Sequence, residues 1–112
     1  MYDRWEYTIP ANTSEEERVR VECKISPGTL RVLTVYFPDG CQGLARCRVL
    51  LGEKPIAPRS SKSWLAANDM PIELRYADEP VKVDLAVLNW ELWNLDDTFS
   101  HSLWLGAEWS SE

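Results

Sequence analysis

The chain has 112 residues, 45% of them hydrophobic, with a formal net charge of −6 and an isoelectric point near 4.8. This length fits one domain, residues 1–112, built around one hydrophobic core. The acidic balance argues against a nucleic-acid partner, because binding a phosphate backbone requires clustered Lys and Arg.

The first residues of the chain carry charges at positions 3, 4 and 6, so they resemble neither a signal peptide nor a membrane span. We therefore expect synthesis in the cytoplasm, without a signal peptide and without a membrane partner. Cys23, Cys41 and Cys47 lack a C-x-x-C spacing and a companion histidine pair. This pattern favours reduced thiols over a disulfide framework or a zinc site, with Cys41 in a loop and open to solvent.

Alternating apolar and polar residues predict strands over residues 4–9, 19–25 and 44–51. The Ser-Pro-Gly-Thr sequence at 26–29 predicts a turn, and hence a hairpin between the second strand and the third.

The third predicted strand, residues 30–37, is apolar on both faces. We expect its core face to carry Leu33, Val35 and Phe37. Its other face then needs cover from another subunit or from a folded-back loop, and that face carries Leu30, Val32 and Tyr36.

The second half of the chain begins with a turn, a short edge strand around Ile56 and a loop, all within residues 52–63. A brief helical turn is predicted at 64–67 and a strand at 72–76. Two further strands, 81–89 and 100–109, are joined by the tryptophan-bearing connection 90–98. The total of about eight short strands predicts an all-β fold, an antiparallel β-sandwich of jelly-roll or similar Greek-key topology.

Six tryptophans are more than a small core needs, so their faces matter. If Val81, Val83, Leu85 and Val87 point inward, the pleat turns Leu88 and Trp90 outward. The same reasoning turns Trp104 outward and leaves Trp93 in the connection. These side chains would form a contact surface for protein or sugar, unless a bulge or a loop buries them.

Candidates for chemistry are sparse. Asn94, Asp96 and Asp97 form an oxygen-rich loop that resembles a solvated turn more than a Ca²⁺ site. His101 stands alone, and we expect a partly buried, hydrogen-bonded side chain. No paired carboxylates or nucleophile–base pair stand out, so we expect no catalytic residues, no metal, no cofactor and no enzymatic activity.

Four arginines can share one sheet face. Arg46 and Arg48 project from one strand, near Arg18 and Arg20 on another. This strip can meet acidic residues of a neighbouring copy, although ordinary cross-strand ion pairs explain it as well.

Two segments resemble small β proteins encoded by phages and phage-like elements. They are Phe37-Pro38-Asp39-Gly40-Cys41-Gln42-Gly43-Leu44 and the Trp-Asn-x-Asp-Asp-Thr motif that begins at Trp93, ahead of the last strand. The resemblance implies a jelly-roll subunit that decorates or reinforces a virion shell, commonly as a trimer. It brings no catalytic residues.

Taken together, these patterns favour a non-enzymatic accessory protein of a virion that self-associates through aromatic surface. Its expected partners are copies of itself, with a trimer favoured, and a viral capsid protein. A carbohydrate-binding module that uses surface tryptophans is the alternative. The residues expected at the contact surface are Leu30, Val32, Tyr36, Leu88, Trp90, Trp93 and Trp104.

Overall fold

Eight strands account for most of the fold in the computed structural model, which describes residues 1–60 and 62–111. Ser61, in the predicted loop, and Glu112, at the end of the predicted domain, lie outside the described residues. The strands are β1 (Tyr2–Ile9), β2 (Val19–Lys24), β3 (Gly28–Phe37), β4 (Ala45–Leu51), β5 (Lys54–Ala57), β6 (Met70–Val81), β7 (Val87–Asn94) and β8 (His101–Ser111).

The strands form two four-stranded antiparallel sheets. Sheet A has the order β1-β8-β3-β6, and sheet B has the order β2-β7-β4-β5. This is the strand order of a jelly roll, in which the chain passes repeatedly from one sheet to the other. The predicted antiparallel β-sandwich of about eight strands is confirmed.

The crossings between sheets correct one prediction. The turn at 26–29 does not close a hairpin, because β2 belongs to sheet B and β3 to sheet A. Among the described strands, only β4 and β5 are both consecutive and paired, through the turn at Gly52, whose φ is +61°. Local turn chemistry therefore marks where the chain bends, whereas the burial of apolar faces decides which strand it joins.

The core lies between the two sheets and follows the predicted alternation in β2, β4 and β8. Cys23, Cys47, Val49, Leu103 and Leu105 are each fully buried. The face predictions for these strands are confirmed, because a strand with one apolar face can bury it only toward the other sheet.

A bulge in β3 corrects the prediction for Leu30. The pairing register with both β6 and β8 shifts between Leu30 and Val32, so the extra residue reverses the alternation at that point. Leu30 consequently faces the core with Leu33 and is fully buried. It cannot belong to an exposed contact surface, whereas Val32 and Tyr36 remain half-buried on the outer side.

The largest correction concerns residues 81–94. Val81 ends β6, a single 3-10 turn spans Val83–Leu85, and β7 begins at Val87. Val83 is 82% exposed and Leu85 is 43% exposed, so they do not form the predicted core stripe.

Residues 90–94, the first part of the predicted connection, belong instead to β7. This strand pairs with both β2 and β4. Its inward side chains are Leu88, Trp90 and Leu92, each fully buried. Leu88 and Trp90 are therefore core residues. The physical reason is area, because burying one Trp and two Leu side chains removes more apolar surface from water than burying Val83 and Leu85 would.

Residues 64–67 are extended and form no helical turn. Leu65 forms a two-residue bridge with Cys47, with N–O distances of 2.8 and 3.1 Å, alongside β4. Within the described ranges the 3-10 turn is the only helical element, and no helix there has the length and hydropathy to cross a membrane.

All three thiols are buried, which corrects the expected exposure of Cys41. Burial raises the pKa of Cys41 to about 11, helped by the negative charge of Asp39. Burial likewise raises the pKa of Cys23 and of Cys47 to about 12. The thiolate, which is the reactive form, is therefore disfavoured at every cysteine.

We expect iodoacetamide at pH 8 to leave the folded protein unmodified and to modify all three cysteines in denaturant, as mass spectrometry would show. Because the folded pKa values lie above the unfolded value of 9.0, the free energy of unfolding should fall as pH rises from about 9 toward 12. A Cys41→Ala variant is the control, since its alkaline loss should be smaller. Rapid alkylation of the native protein would contradict this assignment.

Candidate functional site

A shallow groove lined by three aromatic side chains crosses the outer face of sheet A. Its volume is about 390 Å³, and all four strands of the sheet contribute to it. The lining residues are Tyr2 and Arg4 from β1, Trp104 and Gly106 from β8, Thr34 and Tyr36 from β3, and Pro71 from β6. We call this set the aromatic groove.

The register of the strands brings these residues together. Tyr36 is the cross-strand partner of Trp104, and their ring centroids lie 6.1 Å apart at an interplanar angle of 53°. The Arg4 guanidinium lies 4.1 Å from the centroid of the Trp104 ring, a cation–π contact. The Trp104 indole is therefore held by the Tyr36 ring on one side and by the Arg4 guanidinium over its face.

Gly106 sets the floor of the groove. A Cβ atom built at Gly106 would lie 2.7 Å from the Tyr2 hydroxyl, so a side chain at this position would require the Tyr2 ring to shift. Tyr2 is nevertheless 65% exposed, and its ring is free to contact a partner.

A smaller depression of about 180 Å³ continues from the groove and adds polar groups to it. It shares Tyr2, Thr34 and Gly106 with the groove, and its other lining residues are Val32, Glu73, Arg75 and Glu108. Arg75 and Glu73 form an exposed ion pair of 2.6 Å. Aromatic rings next to exposed carboxylates can contact apolar and hydroxyl-bearing surfaces alike.

The outer face of sheet B carries a second cluster, which we call the arginine–tryptophan patch (Arg18, Arg46, Arg48, Trp64 and Trp93). The two indoles meet edge to face with centroids 5.6 Å apart. The guanidinium carbons of Arg48 and Arg18 lie 4.6 and 5.8 Å from the Trp64 ring centroid, and that of Arg46 lies 5.2 Å from that of Trp93.

Glu91 holds the arginines in place. It lies between Arg20 and Arg48 in the strand register, and its side chain is only 7% exposed. Its carboxylate is 2.6 Å from Arg48 and 3.5 Å from both Arg18 and Arg20. The predicted proximity of the four arginines is confirmed, and cross-strand ion pairs through Glu91 bind three of them.

The predicted oxygen-rich loop has structural contacts. Asp96 accepts hydrogen bonds from the backbone N–H groups of Thr98 and Phe99, and its other oxygen lies 2.9 Å from His101 Nε2. These contacts, Thr98 first, lower the pKa of Asp96. The predicted hydrogen bond of a partly buried His101 is confirmed, and the side chain is 8% exposed. No group of three or more His, Cys, Asp or Glu in the described chain could hold a metal ion.

The predicted contact residues divide into three groups. Val32, Tyr36 and Trp104 lie on the outer face of sheet A, where Tyr36 and Trp104 line the aromatic groove. Trp93 is in β7, not in a loop, and is the least exposed member of the arginine–tryptophan patch, at 6%. Leu30, Leu88 and Trp90 are in the core.

Sequence reasoning missed Tyr2, Arg4, Pro71 and Gly106 in the groove and Trp64 in the patch. The alternation in the first strand does place Arg4 on the outward face, together with Glu6 and Thr8. Joining it to Trp104 required the pairing of the first strand with the last, which alternation does not reveal. Comparisons of the chain with protein-family models, with curated proteins and with solved structures found no match.

Proposed function

We propose that this protein is a non-enzymatic accessory structural protein that self-associates through the aromatic groove and sits on a larger assembly of the virion type. The observation that carries the proposal is the composition of the groove, where Tyr2, Arg4, Tyr36 and Trp104 gather on one exposed sheet face. Tyr, Trp and Arg are the residues that most often dominate the energy of protein–protein interfaces.

The arrangement of these residues also supports association. The Tyr36–Trp104 contact and the Arg4 guanidinium over Trp104 restrict the side chains before any partner arrives. Ordering costs on association are therefore low, and more of the buried area contributes to affinity. Leu30, Leu88 and Trp90 have no part in this surface, so the proposal relies on sheet A alone.

The fold is compatible with this role. Jelly rolls serve as viral capsid domains and also as lectin domains, so the topology permits the role without assigning it. The resemblance of the Phe37–Leu44 and Trp93–Thr98 motifs to phage accessory proteins adds the trimer and the capsid protein as proposed partners.

A carbohydrate-binding module is the second candidate, and one observation favours it. The groove runs across four strands, about 14 Å at ordinary strand spacing, and its neighbouring depression adds Glu73 and Glu108. A sugar ring can stack on Trp104 while its hydroxyl groups donate hydrogen bonds to these carboxylates.

Sedimentation equilibrium tests the first candidate. We expect the wild-type protein to self-associate at micromolar concentration, and Trp104→Ala to raise the dissociation constant by about 30-fold or more, corresponding to a loss of roughly 2 kcal/mol. Phe99→Ala is the control, because Phe99 is a solvent-exposed aromatic residue outside the groove. A wild-type protein that stays monomeric across this range and binds no purified particle would remove the proposal.

A tryptophan-fluorescence titration with a panel of glycans separates the two candidates. A saturable spectral shift that Trp104→Ala abolishes would favour sugar binding. No shift with any glycan, together with concentration-dependent association, would favour the assembly role.

A further inference from the structure

We propose that the acidic run of one copy, Glu15, Glu16 and Glu17, binds the arginine–tryptophan patch of a neighbouring copy. This inference rests on the proposed self-association and names a second contact for it, on sheet B and separate from the aromatic groove. The class of contact is a charge-complementary one between identical chains.

The charge of the outer face of sheet B differs from that of the whole chain. The chain carries a net charge of −6, which makes identical copies repel one another on average. The outer face of sheet B departs from this average, because it carries Arg18, Arg20, Arg46 and Arg48, while Glu91 pairs with three of them and Glu53 pairs only with Arg20. Another copy is therefore attracted to this face, provided that it presents acidic residues there.

The acidic run provides such residues. Glu15, Glu16 and Glu17 are consecutive and exposed, and none of them forms an ion pair within the described part of the chain. The run is held in a tight turn by Glu17 N–H to Ser14 O at 3.1 Å and by Arg18 N–H to Glu15 O at 3.3 Å. This turn presents three carboxylates in a limited set of positions, none of them paired with the patch of the same copy.

The acidic run and the arginine–tryptophan patch are neighbours on the surface. The run directly precedes Arg18, so the acidic run and the basic patch lie next to each other at one corner of the sandwich. A rotation axis beside that corner places the run of each copy against the patch of the next, and all copies then make the same contact. A two-fold axis or a three-fold axis satisfies this condition.

The patch is also ordered in advance. Glu91 and the Trp64 indole hold Arg18 and Arg48, whereas Arg46 lies over the Trp93 ring and donates through Nε to Gly43 O at 3.1 Å. Arginines held in this way lose little side-chain freedom when they bind a carboxylate. The indole of Trp64 removes part of the surrounding water, which strengthens each charge interaction relative to an exposed pair.

Charge reversal tests the inference. One variant combines Glu15→Lys, Glu16→Lys and Glu17→Lys, and the other combines Arg18→Glu with Arg46→Glu. We expect each variant alone to associate at least about tenfold more weakly than the wild type in sedimentation equilibrium, and a chain that carries all the substitutions together to regain association, because each run then meets a patch of opposite charge around a two-fold or a three-fold axis. The contact should also weaken between about 50 mM and about 500 mM salt.

Circular dichroism checks that each variant is folded, and Arg46→Glu alone replaces the double variant if Arg18→Glu disturbs Glu91. Reversed variants that associate as the wild type does, or a combined variant that does not regain association, would overturn the inference. In that case Trp104→Ala would still report on the aromatic groove, so the proposed self-association stands or falls separately. A wild type that is monomeric throughout would overturn both.

Discussion

Trp90→Ala should lower the free energy of unfolding by about 3–5 kcal/mol, which is a large part of the stability of a domain of this size. Trp90 is the largest of the fully buried side chains, and it lies in β7 with strands paired on both sides. Its removal leaves a cavity between the sheets that surrounding strands cannot close. Urea unfolding followed by circular dichroism measures the change.

The control for Trp90 is Trp64→Ala. Trp64 is half-buried on the outer face of sheet B, where water can replace its contacts, so we expect a loss well below that of Trp90. Equal losses at the two positions would contradict the assignment of Trp90 to the core.

Asn94→Ala should cost about 2–4 kcal/mol, although the replaced side chain is polar. Asn94 is fully buried, and its amide joins three segments. Nδ2 donates to Phe99 O at 3.0 Å and lies 3.4 Å from Pro10 O, while Oδ1 accepts from Asp96 N–H at 3.0 Å. Without this amide, partly buried backbone groups beside the ends of β1 and β8 lose their partners.

Asn68→Ala is the matched control. The Asn68 Oδ1 atom also accepts from two backbone N–H groups, those of Gly40 and Gln42, each at 2.9 Å, but Asn68 is exposed. Water can take over those bonds, and thermal unfolding should show a much smaller shift. A Tm for Asn94→Ala within a degree or so of the wild type would contradict its role as a buried junction.

The aromatic groove was only half accessible to sequence reasoning. The alternation in the last strand predicts that Trp104 points outward, and the structure places it on the outer face of sheet A. Tyr2 and Arg4 reach the same groove because β1 pairs with β8, a contact between the two ends of the chain. Pairing over about 100 residues depends on which faces bury each other, and local sequence carries no record of that.

The stretch 81–94 shows how a clear pattern can mislead. Val81, Val83, Leu85 and Val87 alternate as a strand does, yet this segment carries the chain from sheet A to sheet B. The residues that follow are buried in the core instead, because Trp90 and its neighbours remove more apolar area from water than Val83 and Leu85 would. A period of two identifies candidate strands, whereas competition between adjacent segments decides which one is buried.

Local sequence patterns are sufficient to predict the all-β class, the alternating faces of β2, β4 and β8, and the positions of the turns. These properties follow from local chemistry, because side-chain alternation and turn residues act over a few neighbours. The order of the strands, the bulge that buries Leu30, the burial of Trp90 and the proximity of Tyr2, Tyr36 and Trp104 depend instead on long-range packing. Those features follow from the closure of two sheets over one core, where every face must be buried or hydrated at once.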